Sequence, residues 1–208
     1  MSNVYYRRYT DIPSLVGMLT TGELTLLEPA TWDDKNDSYF LDQYKQKRGL
    51  ESVLALCFTS ASETYHHWRV FSPGPAGVCV WFKEEGIKAA VKKVKGLRIK
   101  PVDYLTVDEV RRERLSVPRM PFVKRHPFKP ESEIRILWES DTDKRSSLAV
   151  PFEASAIERI TLSPWLHPSL TDPLKSLLKS LPKCQKYRIY RSTLVGNDEW
   201  KRHGRNAK

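Results

Sequence analysis

An apolar run of strand length, Val53–Phe58, breaks at once into small hydroxyl residues and then into a segment with helical spacing. This feature constrains the fold most. Six apolar residues in succession leave no face for water, so the run reads as a strand buried on both sides. Ser62, followed by Glu63, has the chemistry of a helix N-cap, and Glu63–Phe71 then reads as an amphipathic helix. A strand that ends in an open turn fixes the backbone while the loop presents side chains, and sites are commonly built there. Glu63, Tyr65, His66, His67 and Trp68 all fall within six residues just past that strand end.

A second apolar run, Val78–Phe82, follows the turn Ser72–Gly77 and reads as another buried strand. Before these, Val4–Thr10 is rich in strand formers. Asp11 is placed to cap a helix over Ile12–Leu19, with Pro13 in its first turn and Gly22 just past its end. Leu24–Leu27 reads as a short strand, Ala30–Asp37 as a polar loop and Ser38–Lys47 as a helix ended by Gly49. Downstream, the pattern predicts a helix over Glu84–Val94, a strand over Leu97–Leu105 and a charged helix over Val107–Leu115. Val117–Pro130 holds four prolines and reads as an irregular loop. Glu131–Trp138 alternates charge and bulk as a strand with one wet face does. Strands over Leu148–Phe152, Ile157–Leu162 and Tyr187–Leu194 and a helix over Leu170–Leu181 complete the reading. The expected fold is α+β, with a central mixed or split sheet flanked by helices. Residues 1–195 form the globular domain and 196–208 a basic tail.

The chain has 208 residues, 40% of them hydrophobic, enough to build a core. No apolar run approaches the ~18 residues of a membrane span and no signal-peptide core opens the sequence. A cytoplasmic protein without a membrane partner is expected. Three cysteines without CxxC spacing argue against a disulfide framework or zinc knuckle. Net charge is +10, and it is unevenly placed: residues 83–145 carry 17 Lys/Arg against 11 Asp/Glu, and residues 183–208 carry 8 against 2. Such a surplus suits an anionic partner, a nucleotide or a nucleic acid, or simply a solvated surface.

Several constellations could carry chemistry. His66 and His67 point about 100° apart on a helix and cannot share a metal from that segment, and HExxH is absent. Glu63 and His67 stand at i, i+4, where the carboxylate either orients the imidazole or only stabilises the helix. Asp33, Asp34 and Asp37 could attract a hard cation, but Asp37 could equally cap the helix that follows, and no metal site is assigned. Phosphate-cradle and nucleophile-elbow motifs are absent. Glu131 and Glu133 follow the proline-rich loop, with Arg135 two residues on, so all three would share one strand face. That face is either open to solvent or part of a cleft, where one carboxylate handles a ribose hydroxyl and the other polarises a nucleophile.

The order YRRY (Tyr6–Tyr9), TWDDKND (Thr31–Asp37), ALCFTS (Ala55–Ser60), ETYHHW (Glu63–Trp68), GVCVWF (Gly77–Phe82) and ESEIRI (Glu131–Ile136) resembles a widespread bacterial domain family without an assigned activity. The resemblance spans roughly residues 4–165. Lys35-Asn36-Asp37 departs from the Pro-Phe-Glu of many members, and His66-His67-Trp68 from their Met-Trp. A second resemblance implies chemistry. Arg on the first strand, Ser at the end of a middle strand and Glu-x-Glu leading a later one is similar to the order in NAD-dependent ADP-ribosyltransferases. That similarity implies NAD as substrate, in a transferase or glycohydrolase of the kind found among bacterial toxins and anti-phage effectors. It implies that Arg7 or Arg8 holds a pyrophosphate or a nicotinamide ribose phosphate and that Ser60 buttresses the site. Glu133 would hydrogen-bond the ribose and Glu131 would activate the acceptor. Tyr65 and Trp68 would offer a wall for a base or nicotinamide ring, and His67 would act beside the carboxylates. The competing reading is a basic nucleic-acid-binding or nucleolytic module.

Overall fold

The Val53–Phe58 run lies inside β3 (Ser52–Thr59), the strand along which the whole sheet is arranged. The computed structural model describes residues 4–207. In chain order the flanking elements are β1 (Tyr5–Asp11), α1 (Ile12–Thr21), β2 (Glu23–Leu27) and α2 (Lys35–Arg48). After β3 come α3 (Tyr65–Phe71), β4 (Gly77–Lys83), α4 (Glu84–Lys92), β5 (Arg98–Pro101), β6 (Asp103–Leu105), α5 (Val107–Glu113) and β7 (Val123–Arg125). The chain closes with β8 (Glu133–Ser140), β9 (Ser147–Pro151), β10 (Ile157–Leu162), α6 (Pro168–Ser180), β11 (Arg188–Arg191) and α7 (Asp198–Arg205). Local chemistry starts and stops the helices where residue type predicts. Asp11 accepts from the Ser14 N–H at the head of α1, and Gly22 ends it at φ 72°, a conformation that disfavours any side chain.

Nine strands form one mixed sheet, ordered β11-β10-β4-β1-β3-β2-β9, with β8 paired to β3 and β5 to β8; β6 and β7 form a separate parallel pair. β8 pairs with β3 over its full length, from Ser52 to Thr59. β1 and β2 must therefore share the opposite edge. β1 meets it only at Thr59, opposite Arg7, and β2 at Ala55, opposite Leu27. The sheet splits there, and this split positions the site.

Strand alternation sends Leu54, Leu56 and Phe58 into the main core, with Val78, Val80, Phe82, Ile134 and Ile136, under α1 and α4. Burying each such side chain contributes roughly 1.5–3 kcal/mol before chain entropy is counted. The opposite face carries two smaller apolar patches. One lies under α2 (Leu41, Tyr44, Val53, Ala55, Phe122, Leu137) and the other under α3 (Tyr9, Trp68, Cys79). The face between them is polar.

The α+β fold with a mixed sheet stands as expected, and several local expectations are corrected. The strand expected over Leu97–Leu105 is two strands, β5 and β6, in different sheets, because the β5 ladder with β8 ends where Val102 donates to the Glu133 carbonyl. Asp37 lies inside α2, not in an exposed loop, because Asp34 takes the capping role and Asp37 is buried against Arg135. Helix α3 starts at Tyr65 with Thr64 as its cap instead of Ser62, since Thr64 Oγ1 accepts from the His67 N–H. The proline-rich loop is built of two 3-10 turns around β7. β8 has no wet face over Glu133–Trp138, because β3 and β5 flank it and its charges are paired internally. The 196–208 tail contains α7, none of whose residues is buried. Among the described residues, no helix is long and apolar enough to cross a membrane.

Candidate active site

Direct Cα pairings link five residues from five adjacent strands into one row: Arg159 (β10) with Trp81 (β4), Trp81 with Arg7 (β1), Arg7 with Thr59 (β3), and Thr59 with Glu133 (β8). Directly paired residues project from the same face, so the row runs across the polar face between the two apolar patches. Arg7 and Glu133 are two strand spacings apart, about 10 Å at Cα. They flank Thr59 from its two neighbouring strands.

The cationic half of the row is built on Trp81. The Arg7 guanidinium lies 3.8 Å from the centre of the indole and that of Arg159 lies 3.5 Å from it. Arg7 Nη1 also donates to the carbonyls of Ser60 (3.2 Å) and Ala61 (2.6 Å), fastening the β3–α3 loop to β1. Burial lowers the Arg7 pKa below the ordinary arginine value without discharging the group.

The anionic half contains Glu131, Glu133, Asp34 and Asp37 around two cations. The fully buried Arg135 sends both terminal nitrogens to Asp37 (3.0 and 2.6 Å) and Nε to Glu133 (2.7 Å). Lys124 Nζ lies 2.6 Å from Glu131 and 3.5 Å from Glu133, with Asp37 and Asp34 at 3.7 and 3.8 Å. Burial alone would raise the Glu133 carboxyl, but Arg135 and Lys124 outweigh it and hold the pKa below the ordinary value. For Glu131 burial wins over Lys124, and its pKa is raised. Two neighbouring carboxyls are thus pushed apart, one kept ionised and the other brought closer to neutral pH.

His67 closes the row from below. It is buried, stacks on Tyr9 with ring centres 5.5 Å apart, and has Nδ1 2.5 Å from Thr64 Oγ1. Thr59 Oγ1 has a single proton, which goes to the Glu131 carbonyl at 2.5 Å. His67 Nε2, 3.4 Å from both that hydroxyl and that carbonyl, must therefore be the protonated ring nitrogen. Burial, first, and then His66 and Arg7 outweigh the bond to the Glu131 carbonyl and depress the His67 pKa, so the ring is neutral at pH 7.

The other expected site residues fall elsewhere. Arg8 has the opposite strand parity to Arg7; its Nη1 reaches the Cys57 carbonyl at 3.2 Å, across the split. Ser60 Oγ donates to the Ser132 carbonyl at 3.0 Å, tying the end of β3 to the Glu131–Glu133 bend, where Ser132 adopts φ 45°. Glu131 belongs to the 3-10 turn ahead of β8, so it does not share a strand face with Glu133 and Arg135. Trp68 is completely buried, its indole N–H on Glu63 at 2.7 Å, and has no face to offer a ligand. Glu63 is engaged there and by Ser192, not by His67. Tyr65 is 51% exposed and packs edge-on to Trp165. Sequence reading missed Trp81, Arg159, Thr59 and Lys124. Trp81 and Arg159 sit in strands whose period-2 pattern shows, but which faces they share depends on pairing between distant strands.

A cavity of about 480 Å³ lies on the other side of the molecule, between the end of α1, Phe152–Ala154 and Tyr187. It holds none of these groups. A small cleft of about 40 Å³ does adjoin the carboxylates, lined in part by Asn36, Asp37, Val110 and Lys124.

No protein-family model matches the chain, so the resemblance to a bacterial family has no support from a family match. No curated protein matches it in sequence. Among solved structures, the chain is similar to Thermus sp. 2.9 DarT in complex with NAD+, at 12% identity and a TM-score of 0.45, over 92% of this chain and 96% of that one. It is similar to the same protein in complex with ADP-ribosylated ssDNA at 12% identity and a TM-score of 0.47, over 91% and 94%.

Proposed function

We propose that the chain is an NAD-processing enzyme, an ADP-ribosyltransferase or NAD glycohydrolase, acting on the polar sheet face. The supporting observation is the register row, which brings Arg7 and an ionised Glu133 to opposite sides of Thr59 at the split. In this reading Arg7 holds a phosphate of NAD, and Glu133 accepts a ribose hydroxyl and stabilises positive charge on the sugar. The bond between ribose C1′ and the nicotinamide nitrogen breaks, its electron pair leaving with nicotinamide. An acceptor nucleophile then bonds to C1′ and gives its proton to Glu131, whose raised pKa suits a general base. With water as nucleophile the products are ADP-ribose, nicotinamide and one proton.

Incubating the protein with NAD and following nicotinamide tests the reading. Release is expected, and its absence with and without nucleic acid and cell lysate, together with no NAD binding, overturns it.

A second reading, nucleic-acid binding, is favoured by α7. Trp200 there is 80% exposed beside Lys201 and Arg202, the pairing of flat aromatic and cation that stacks bases and meets phosphates. In the enzyme reading this surface would deliver a nucleic-acid acceptor.

A further inference from the structure

The two glutamates are held by an element outside the main sheet. β5 ends at Pro101, opposite Ile134. Val102 still donates to the Glu133 carbonyl at 3.0 Å, but the Glu133 N–H does not return to a strand. It donates instead to the Tyr104 hydroxyl, at 2.8 Å. β6 and β7 pair in parallel with Tyr104 directly opposite Lys124, so both side chains leave this ribbon on one face. That face meets Glu133: Tyr104 takes its backbone N–H, and Lys124 Nζ lies 3.5 Å from its carboxylate.

Glu131 depends on the ribbon more completely. Its side chain is buried, and Lys124 Nζ, at 2.6 Å, is the one hydrogen-bond partner of its carboxylate among the described residues. Glu133 keeps Arg135 as well. Lys124 thus stands among four carboxylates, those of Asp34, Asp37, Glu131 and Glu133, with only Arg135 to share them. Stability alone does not account for this. Taking such charges out of water often costs more than pairing them gains, and apolar side chains of similar volume commonly serve a fold as well or better. Nor does the ribbon stabilise itself. Its strands have three residues each, and α5, which lies between them in the chain, buries none.

We infer that the β6–β7 ribbon is the positioning element of the paired glutamates: Tyr104 fixes the backbone at Glu133, and Lys124 orients the Glu131 side chain and sets its distance from Glu133. The inference rests on the enzyme reading for what the two carboxylates do, but positioning can be measured without turnover. Glu131 is faced by Lys124 from β7, Tyr104 from β6, Asp37 from α2 and Glu133 from β8, with the His67 ring against its carbonyl. Lys124 opposes the effect of burial there, so its loss should make the Glu131 carboxyl titrate higher.

Carboxyl 13C NMR of the full chain without NAD, with the Glu131 and Glu133 signals assigned from their Gln variants, is the primary measurement. Lys124→Gln should move the Glu131 titration upward by about one pH unit or more, while Glu133, still bonded to Arg135, stays ionised at pH 7. Lys124→Arg should restore most of the wild-type titration. Lys129→Gln, at an exposed lysine two positions before Glu131, is the control for surface charge and should change nothing. Melting curves establish that each variant is folded. With NAD, Tyr104→Phe should lower kcat for nicotinamide release roughly tenfold or more, as a displaced reacting group does, with KM little changed. Lys124→Gln should weaken transfer of label from NAD to acceptors in cell lysate, and should add nothing to the defect of Glu131→Gln.

An unmoved Glu131 titration in Lys124→Gln, or an equal shift in Lys129→Gln, overturns the inference. A defect confined to KM, or a Lys124→Gln loss that multiplies with that of Glu131→Gln, does so too, and leaves the ribbon a brace of the fold. If Lys124→Gln does not fold, Tyr104→Phe, which keeps the ring and removes one hydroxyl, decides by its effect on kcat. A moved Glu131 in a chain that releases no nicotinamide upholds the positioning and overturns the enzyme reading. Nicotinamide release with an unmoved Glu131 does the reverse.

Discussion

Glu133 is 5% exposed and held ionised by Arg135 and Lys124, so its charge can be removed with little change of shape. Glu133→Gln is expected to cut nicotinamide release by about 100-fold or more, as loss of a charge aimed at the transition state does. Circular dichroism should remain that of the wild type. Glu131→Gln is expected to impair transfer to an acceptor while sparing NAD hydrolysis, and comparing the two product channels checks this. His67 gives a stability prediction with a defined sign. Its folded pKa lies below the ordinary 6.5, so below pH 6.5 the unfolded chain binds more protons than the folded one. Stability from this group is complete above pH 6.5 and is lost as pH falls toward the folded value, at most about 1.4 kcal/mol per pH unit. In urea unfolding between pH 5.5 and 6.5, His67→Gln should show a flatter dependence than the wild type.

At the scale of elements, the site depends on β4 holding its register between β1 and β10. Gly77 opens β4, and a Cβ there would come within 2.5 Å of both the Ser72 carbonyl oxygen and its Oγ. Ser72 cannot yield easily, because its hydroxyl donates to the Thr10 carbonyl and accepts from the Val78 N–H. Gly77→Ala is expected to cost about 1–3 kcal/mol, read as a lower urea midpoint. Much of this element level was legible in the sequence. The apolar runs marked β3 and β4, and Asp11 and Gly22 marked the ends of α1. The Glu-x-Glu was legible as a pair but not as buried, since a charged residue at strand period reads as solvent-facing until its counter-ion is known. That counter-ion is partly Asp37, 98 positions before Arg135.

Across the whole molecule, the +10 charge predicts behaviour toward polyanions. Truncation after Val195 removes Lys201, Arg202, Arg205 and Lys208. It should leave the melting temperature close to that of the full chain, because α7 buries nothing. Binding of a single-stranded oligonucleotide should weaken, and the slope of log K against log salt should fall as phosphate contacts are lost. An unchanged affinity that is flat in salt would remove α7 from any nucleic-acid interface.

Sequence by itself determined the α+β class, the buried strands β3 and β4, both ends of α1 and the Gly49 stop of α2. These follow from local rules, since strand period, capping and turn residues act over a few neighbours. Only the tertiary structure decided that Arg7 and not Arg8 faces the carboxylates, that Trp68 is core, and that Trp81 and Arg159 stand beside Arg7. A shift of one residue in any strand pairing would turn these side chains to the other face of the sheet. The register is set by how β10, β4, β1, β3 and β8 pair across the whole domain, which no short stretch of the chain encodes.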